Sequence, residues 1–182
     1  MQAKRYNREI ERLRDPERVA RLEVNRVVSL SLENMENTKT VLDIGVGSGI
    51  FAEAFAVKGL QVSGVDVNPE MLSAALAFVP SGIFKQGNAE KLPFEDAAFD
   101  LTFMGLLLHE TDDTLAALKE ARRVTQKRLA ILEWLYEEQP FGPPLEHRLS
   151  GEEITSLAQQ AGFKLIEALP LQNLVLYRCN IG

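Results

Sequence analysis

The feature that most constrains the fold is a short apolar run that ends in a cluster of glycines. Residues 40–44 are rich in β-branched and apolar side chains, and Gly45, Gly47 and Gly49 follow at once. Apolar residues then recur at helical spacing in residues 50–55. This pattern predicts a strand, a tight turn and a helix, in which glycines allow positive φ angles and free N–H groups face a ligand. A glycine-rich turn that binds nothing remains the alternative.

Short apolar runs and helical patterns alternate along the rest of the chain. The predicted strands are 40–44, 61–65, 83–86, 100–108, 128–135, 163–169 and 174–179; the predicted helices are 15–33, 50–59, 69–78, 115–124 and 150–161. Such alternation predicts a mostly parallel sheet with helices on both faces. Because only residues 170–173 join the last two strands, those strands form an antiparallel hairpin. The expected fold class is therefore α/β, a Rossmann-like sandwich with a C-terminal antiparallel hairpin.

Length and composition predict one domain over residues 1–182, with a hydrophobic content of 46%. The longest apolar runs are far shorter than the roughly 20 residues of a membrane span, and no apolar stretch follows the basic N-terminus as in a secretory signal. The one cysteine, Cys179, excludes an internal disulfide and a thiolate metal cluster. We therefore expect a cytoplasmic protein without a membrane partner.

Charge is unevenly distributed along the chain. The net charge of -6 argues against a nucleic-acid partner, yet residues 1–30 hold eight basic and five acidic side chains, a local net charge of +3. A solvated helix face with ion pairs explains this excess most simply. A basic flap over an anionic substrate or a partner subunit is the alternative.

Polar residues follow the predicted strands, and the carboxyl ends of parallel strands are where open α/β sheets bind ligands. Asp66 ends the second strand, 21 residues beyond Gly45, where a carboxylate can accept both hydroxyls of an adenosine ribose. An Asx turn or a helix cap is the alternative role for Asp66. In the third turn, Asn88 could accept from an adenine amine while a backbone N–H of Ala89 or Glu90 donates to the ring.

Together these segments resemble the class I S-adenosylmethionine-dependent methyltransferases, in the branch that methylates small molecules such as quinones and fatty-acid-like compounds. The matching segments are 41–49, 64–66, 69–72, 87–90, 92–94, Phe99–Asp100 and His109. The resemblance covers about residues 40–135, with a looser match in 149–163. It implies S-adenosylmethionine as the cofactor and methyl transfer to a small-molecule acceptor.

Site residues follow from the resemblance position by position. It implies that Asp43 and Gly45 bind the methionine end, Asp66 the ribose, and Asn88 with Ala89 the adenine. The predicted cofactor set is completed by Gly47, Gly49, Val67, Glu90 and Gly105. The family most often has Asp where Asn88 stands, and a small polar residue is common where the chain has Met104 and Gly105; the Gly105 carbonyl can still face the cofactor amine.

Two residues distinguish this cofactor from a dinucleotide. The dinucleotide fingerprint requires glycine at position 50, where the chain has Ile50. A carboxylate at Asp43 suits an ammonium group and repels a pyrophosphate. Two other functions remain open: a non-catalytic S-adenosylmethionine-binding module that activates a partner, and a nucleotide-dependent oxidoreductase.

Methyl transfer depends mainly on alignment and exclusion of water, and a base helps only when the acceptor has a proton to lose. The candidate bases are His109 and His147, although a structural role explains His109 equally well. Glu110, Asp112 and Asp113 stand near His109, but helix capping is simpler than a metal site, and no metal is predicted.

Substrate specificity is expected from an N-terminal helical cap, residues 1–35, and a substrate-side loop, residues 136–149. Tyr6, Trp134 and Tyr136 are the aromatic residues predicted to line the substrate side. Trp134, at a strand end, could equally be core packing.

Overall fold

A computed structural model of the chain describes residues 10–182. Its strands are β1 (Thr40–Ile44), β2 (Gln61–Asp66), β3 (Ile83–Gln86), β4 (Phe99–Gly105), β5 (Thr125–Trp134), β6 (Leu165–Pro170) and β7 (Leu174–Asn180). Its helices are α1 (Ile10–Leu13), α2 (Pro16–Arg21), α3 (Val24–Leu32), α4 (Ile50–Val57), α5 (Pro69–Phe78), α6 (Thr114–Val124) and α7 (Gly151–Gln160). Two single 3-10 turns cover Leu108–Glu110 and Leu145–His147. No helix within residues 10–182 has both the length and the apolar character needed to cross a bilayer.

All seven strands form one sheet in the order β3-β2-β1-β4-β5-β7-β6. The pairs among β1 to β5 are parallel, whereas β7 runs antiparallel to both β5 and β6. Strand β7, the last in sequence, therefore lies inside the sheet. This topology confirms the predicted mostly parallel Rossmann-like sheet with a C-terminal antiparallel hairpin.

Helices cover both faces of the sheet, and an apolar core lies between the sheet and the helices on each face. On one face α6 and α7 pack through residues such as Leu118 and Ile154. On the other, α3, α4 and α5 pack through residues that include a cluster of three rings. Phe103 of β4 lies 4.7 Å from Phe51 and 5.4 Å from Phe55 between ring centroids. Burial on both faces explains why the central strands read as nearly continuous apolar runs.

Three helices begin where their capping residues predict. Asp15 accepts from the backbone N–H groups of residues 17 and 18 ahead of Pro16 in α2. Asn68 caps α5, which also opens with a proline, and Ser150 forms a reciprocal capping box with Glu153 at α7. These contacts satisfy N–H groups that the first helical turn leaves unpaired.

The predicted helix over 15–33 is wrong in one respect, because it is interrupted between α2 and α3. Glu23 adopts a left-handed backbone with φ 47°. Its carboxylate accepts from the Gln172 N–H at 2.9 Å and from Arg26 at 2.8 Å. The contact between Glu23 and Gln172 holds the chain where the helix is interrupted. Because these residues are far apart in sequence, the local sequence pattern does not indicate the interruption.

The fourth strand is shorter than the predicted 100–108. It ends at Gly105, and Leu106 then turns with φ 57° while its N–H donates to the Leu132 carbonyl at 2.8 Å. The apolar residues after Gly105 therefore leave the sheet plane and lead into the turn at Leu108–Glu110.

Two buried arginines join the sheet to the C-terminal end of α3. Arg128 of β5 donates to the carbonyls of Ser31 at 2.9 Å and Glu33 at 2.8 Å. Arg178 of β7 donates to the Leu30 carbonyl at 3.3 Å and to the Glu33 carboxylate at 2.6 Å. The carbonyl groups of the last turn of a helix have no N–H donors within the helix. Arginine side chains from the two strands supply such donors at the end of α3.

Candidate active site

The carboxyl ends of β1, β2 and β4 open into a cavity of about 600 Å³. Its walls come from the turns after β1, β2, β3 and β4, from α2, and from residues 141–143. Nine of the ten predicted cofactor residues line it: Asp43, Gly45, Gly47, Asp66, Val67, Asn88, Ala89, Glu90 and Gly105. Gly49, the tenth, packs against α5 beside the cavity.

The three glycines after β1 all have positive φ angles, but an added side chain would meet different surroundings at each of them. A Cβ on Gly45 would lie 2.7 Å from Leu107, and one on Gly49 would lie 2.9 Å from the backbone of Ala75. A Cβ on Gly47 would meet nothing closer than the Gly45 carbonyl at 4.0 Å. Two glycines therefore serve packing, whereas Gly47 leaves open space where a ligand can approach the backbone.

Both carboxylate oxygens of Asp66 accept hydrogen bonds from backbone N–H groups in the cavity wall. One accepts from the Gly47 N–H at 2.9 Å, and the other accepts from the Asn68 N–H at 2.9 Å. The second contact is the Asx turn considered from the sequence. Each oxygen keeps a further lone pair, so this anchoring orients the carboxylate and leaves acceptors for hydroxyl groups.

Asp43 is a buried carboxylate at the end of β1, with a relative exposure of 2%. Burial, together with the negative charge of Asp66, raises the pKa of Asp43 to about 8, although the Ala52 N–H opposes the shift. A buried carboxylate is costly to ionise unless a cation accompanies it. Asp43 therefore favours a positively charged ligand group.

The turn after β3 is held by local hydrogen bonds. The Asn88 side-chain oxygen accepts from the Glu90 N–H at 3.1 Å. One Glu90 oxygen accepts from the N–H groups of Asp112 at 2.9 Å and Asp113 at 3.1 Å, which ties this turn to the segment after β4. Of the two backbone donors considered for adenine, the Glu90 N–H thus already has a side-chain acceptor.

One of the acidic residues near His109 has a capping role. Asp113 caps α6 by accepting from the Ala116 N–H at 2.9 Å, as the capping interpretation predicts. Within the described residues, no group of three or more His, Cys, Asp or Glu side chains is arranged to hold a metal ion.

Comparison with known proteins agrees with this geometry. The family model described as a methyltransferase domain matches residues 42–130. The chain is 35% identical over 131 residues to a demethylmenaquinone methyltransferase of Thermotoga maritima, covering 70% of this chain and 53% of that protein. It is 39% identical over 85 residues to a malonyl-[acyl-carrier protein] O-methyltransferase of Erwinia billingiae, covering 47% of this chain and 34% of the relative. The chain thus spans about a third to a half of the length of these two curated relatives.

A solved structure described as a SAM-dependent methyltransferase from Aquifex aeolicus superposes with a TM-score of 0.82 at 26% identity, over 95% of this chain and 97% of the other. The chain belongs to the class I S-adenosylmethionine-dependent methyltransferases. Family membership implies S-adenosylmethionine as the cofactor. The residues present fit that molecule, because Gly47 leaves room at the backbone and Asp43 requires a cation, which the cofactor's ammonium group provides.

Elsewhere in the cavity wall, His109 is 9% exposed and lies between two carboxylates. Its Nδ1 is 2.8 Å from Oε2 of Glu133, and its Nε2 is 3.8 Å from Oε1 of Glu110. Burial disfavours the imidazolium, but the charge and hydrogen bond of Glu133 outweigh it and raise the pKa of His109. His109 is thus a partly structural residue that also reaches the cavity wall.

Sequence reasoning did not identify Glu133, and it considered Glu110 only as part of an alternative metal site. Glu110 lines the cavity, and burial raises its pKa to about 7, reinforced by Glu133 and Asp66 and opposed by His109 and Arg18. One signal for Glu133 was available: it is a lone carboxylate that directly follows the apolar residues 129–132 of a central strand. Such a residue needs a buried partner.

Two aromatic side chains also line the cavity. Trp134 lies 5.9 Å from Phe141 between ring centroids, so Trp134 contributes to the cavity wall rather than only to core packing. The Arg21 guanidinium lies 5.1 Å from the centre of the Phe141 ring. The loop and α2 therefore meet at the cavity mouth.

Arg148 holds this loop in place from within. It donates to the carbonyl of Leu135, to those of the loop residues Glu137, Phe141 and Pro143, and to the Gln139 side chain, at 2.7 to 2.9 Å. Arg148 is 5% exposed, so these bonds are sheltered from water. Its neighbour His147 is exposed and does not reach the cavity wall.

Of the other predicted residues, Tyr136 is 55% exposed and does not line the cavity. Tyr6 lies outside the described residues.

Proposed function

We propose that the protein transfers a methyl group from S-adenosylmethionine to a small-molecule acceptor held in the cavity beside Trp134. The observation that carries the proposal is the buried Asp43 carboxylate beside the open backbone at Gly47. Fold alone supports many functions, whereas this pair fits a ligand that joins an ammonium group to a body lying on the turn.

Each end of the cofactor has matching residues in this proposal. Asp43 and Gly45 bind the methionine end, and the Gly105 carbonyl accepts from its amine. Asp66 accepts from the ribose hydroxyls with oxygens already oriented by Gly47 and Asn68. The adenine lies against the turn after β3, where Asn88, Ala89, Glu90 and the neighbouring Val67 form the wall.

The bound cofactor supplies a methyl group already activated by a sulfonium leaving group. The protein's own contribution is alignment and exclusion of water. Trp134 and Phe141 provide apolar wall surface, and Leu22, which directly follows α2, also lines the cavity. The carboxyl groups of Asp43, Asp66 and Glu110 suit a cationic cofactor, and Arg18 and Arg21 line the same cavity.

Substrate choice is assigned to the single domain's two covering segments, the N-terminal helical cap and the substrate-side loop 136–149. Both contribute to the cavity in the described part of the chain, through Arg18 and Arg21 of α2 and through residues 141–143. The relatives named for quinone and malonyl-thioester methylation supply two acceptor classes to test.

Titration calorimetry with S-adenosylhomocysteine tests the cofactor assignment. We expect Asp66→Ala to weaken binding by about a hundredfold or more, since two hydrogen bonds to a charged group contribute about 1.5–3 kcal/mol each. Asp96→Ala is the matched control, because Asp96 is an exposed carboxylate away from the cavity. Equal affinities for Asp66→Ala and wild type would refute the ribose assignment.

Turnover is tested with methyl-labelled S-adenosylmethionine and two soluble probes, 1,4-dihydroxynaphthalene for the quinone class and a malonyl thioester of N-acetylcysteamine for the carboxylate class. Methylation of either probe supports the proposal. Tight S-adenosylhomocysteine binding with no turnover of any acceptor would instead support a binding module that activates a partner. Tighter binding of NAD than of S-adenosylhomocysteine would favour an oxidoreductase.

A further inference from the structure

Three ionisable side chains run in a line from the interior of the sheet to the cavity. Glu133 on β5 is 1% exposed, His109 is 9% exposed, and Glu110 reaches the cavity lining. The proposed cofactor contacts use none of them. Because buried charges are costly, an aligned set of three beside a ligand cavity points to a function.

Glu133 fixes the orientation of His109 at two points. One carboxylate oxygen accepts from the His109 backbone N–H at 3.3 Å, and the other is 2.8 Å from Nδ1. With Nδ1 donating to Glu133, the opposite ring atom Nε2 faces Glu110 at 3.8 Å. A histidine whose one nitrogen is held by a carboxylate presents its other nitrogen in a defined direction.

We propose that Glu110 takes up the proton that the methyl acceptor loses, and that His109, held by Glu133, is the residue that positions Glu110. This assignment rests on the proposed methyl transfer. The acceptor's X–H bond breaks and its proton passes to a Glu110 oxygen. The electron pair left on X forms the new bond to the methyl carbon, while the pair of the breaking C–S bond stays on sulfur. The proton then leaves from Glu110 to solvent.

The electrostatic surroundings of Glu110 suit this role. Burial raises the pKa of Glu110 to about 7, the charges of Glu133 and Asp66 act in the same direction, and His109 and Arg18 act against it. Charged groups around His109 also include Arg148, which disfavours the imidazolium. A base whose pKa lies near the working pH combines a substantial ionised fraction with useful basicity.

The assignment also defines the acceptor's chemistry. A carboxylate has no proton to lose at neutral pH and gains nothing from a base, whereas a phenol-like hydroxyl or a carbon acid does. Trp134 and Phe141, whose rings are tilted by 45° to each other, contribute apolar surface to the same cavity. The site therefore fits a weakly acidic hydroxyl or carbon acid on an apolar body.

Carbon-13 NMR of protein labelled at the glutamate carboxyl carbon, with S-adenosylhomocysteine bound, tests the cluster without turnover. We expect one glutamate signal to titrate near pH 7, to be absent from Glu110→Gln and to persist in Glu146→Gln, a control at an exposed site. In His109→Gln this titration moves to higher pH, because the imidazolium that lowers it is gone. A purely structural histidine would not move it. A Glu110 signal that titrates below pH 5 in the complex would overturn the proposal.

Turnover of 1,4-dihydroxynaphthalene provides the second test. Wild type should show a single-proton rise in rate near pH 7, and Glu110→Gln should lose that rise and about 10²- to 10⁴-fold in rate. Wild-type turnover of the malonyl thioester alone, or Glu110→Gln with wild-type rates on the hydroxyl probe, would contradict the assignment. If wild type methylates neither probe, the proposed function fails for these acceptors, and the NMR titration still decides the state of Glu110.

Discussion

Binding of S-adenosylhomocysteine is expected to release a proton from Asp43. With a pKa of about 8 in the free protein, this carboxyl is mostly protonated at neutral pH. At pH 7 a group of that pKa holds about 0.9 proton. The ligand's ammonium group pairs best with the ionised form, so the complex should hold Asp43 ionised and release roughly that amount.

The same linkage sets the pH dependence of affinity. Asp43 must be ionised to pair with the ligand's ammonium group. Below the pKa of Asp43, the free energy needed to ionise it rises by about 1.4 kcal/mol for each unit by which the pH falls. The dissociation constant should therefore fall about tenfold between pH 6 and pH 7. Above pH 8 the dependence on Asp43 disappears, because the carboxyl is already ionised in the free protein.

Calorimetry in two buffers of different ionisation enthalpy, phosphate and Tris, measures the number of protons released. Asp43→Asn removes the titrating group and should lose both the release and most of the affinity. The ligand 5′-methylthioadenosine lacks the amino-acid end, so it should bind wild type without releasing the Asp43 proton. A release that is absent in wild type, or unchanged in Asp43→Asn, would refute the assignment of the ammonium group to Asp43.

Three further predictions concern stability and access. Without ligand, Asp43→Asn should be more stable than wild type toward urea, by an amount that grows between about pH 4 and pH 8, because a carboxyl with a raised pKa loses stability as pH rises through that window. Gly47→Ala and Gly59→Ala both place a side chain at positive φ, so each should lower stability by about 1 kcal/mol, but only the first should weaken S-adenosylhomocysteine binding in calorimetry. Arg148→Met should leave several loop carbonyls without a donor and lower the melting temperature by several degrees, with faster proteolysis confined to residues 135–143; unchanged proteolysis would contradict its role as the loop's anchor.

The gathering of nine predicted residues around one cavity was predictable because these residues lie at or just after strand ends. Asp43 and Asp66 lie at the ends of β1 and β2, Asn88 follows β3 by two residues, and the topology of a parallel sheet brings such positions together. The glycine-rich turn could be predicted for the same reason, because it directly follows the first strand. Local pattern sufficed here because the site is built from strand ends.

The surroundings of His109 were less predictable because they depend on contacts between distant segments. Glu133 and His109 are 24 residues apart in sequence, and only the pairing of β4 with β5 brings them together. The break at Glu23 depends on Gln172, 149 residues away. The role of Arg148 depends on how residues 135–143 fold around it, which no local sequence pattern indicates.

The insertion of β7 between β5 and β6 has a consequence for the order of folding. Arg178, which β7 carries, donates to the end of α3 across 148 residues of sequence. Closing so long a loop costs chain entropy and is slow. The contacts that offset this cost form only once β7 has paired with its neighbours. We therefore expect α3 to gain full protection from hydrogen exchange late in refolding, together with β7 and after the parallel strands that precede it.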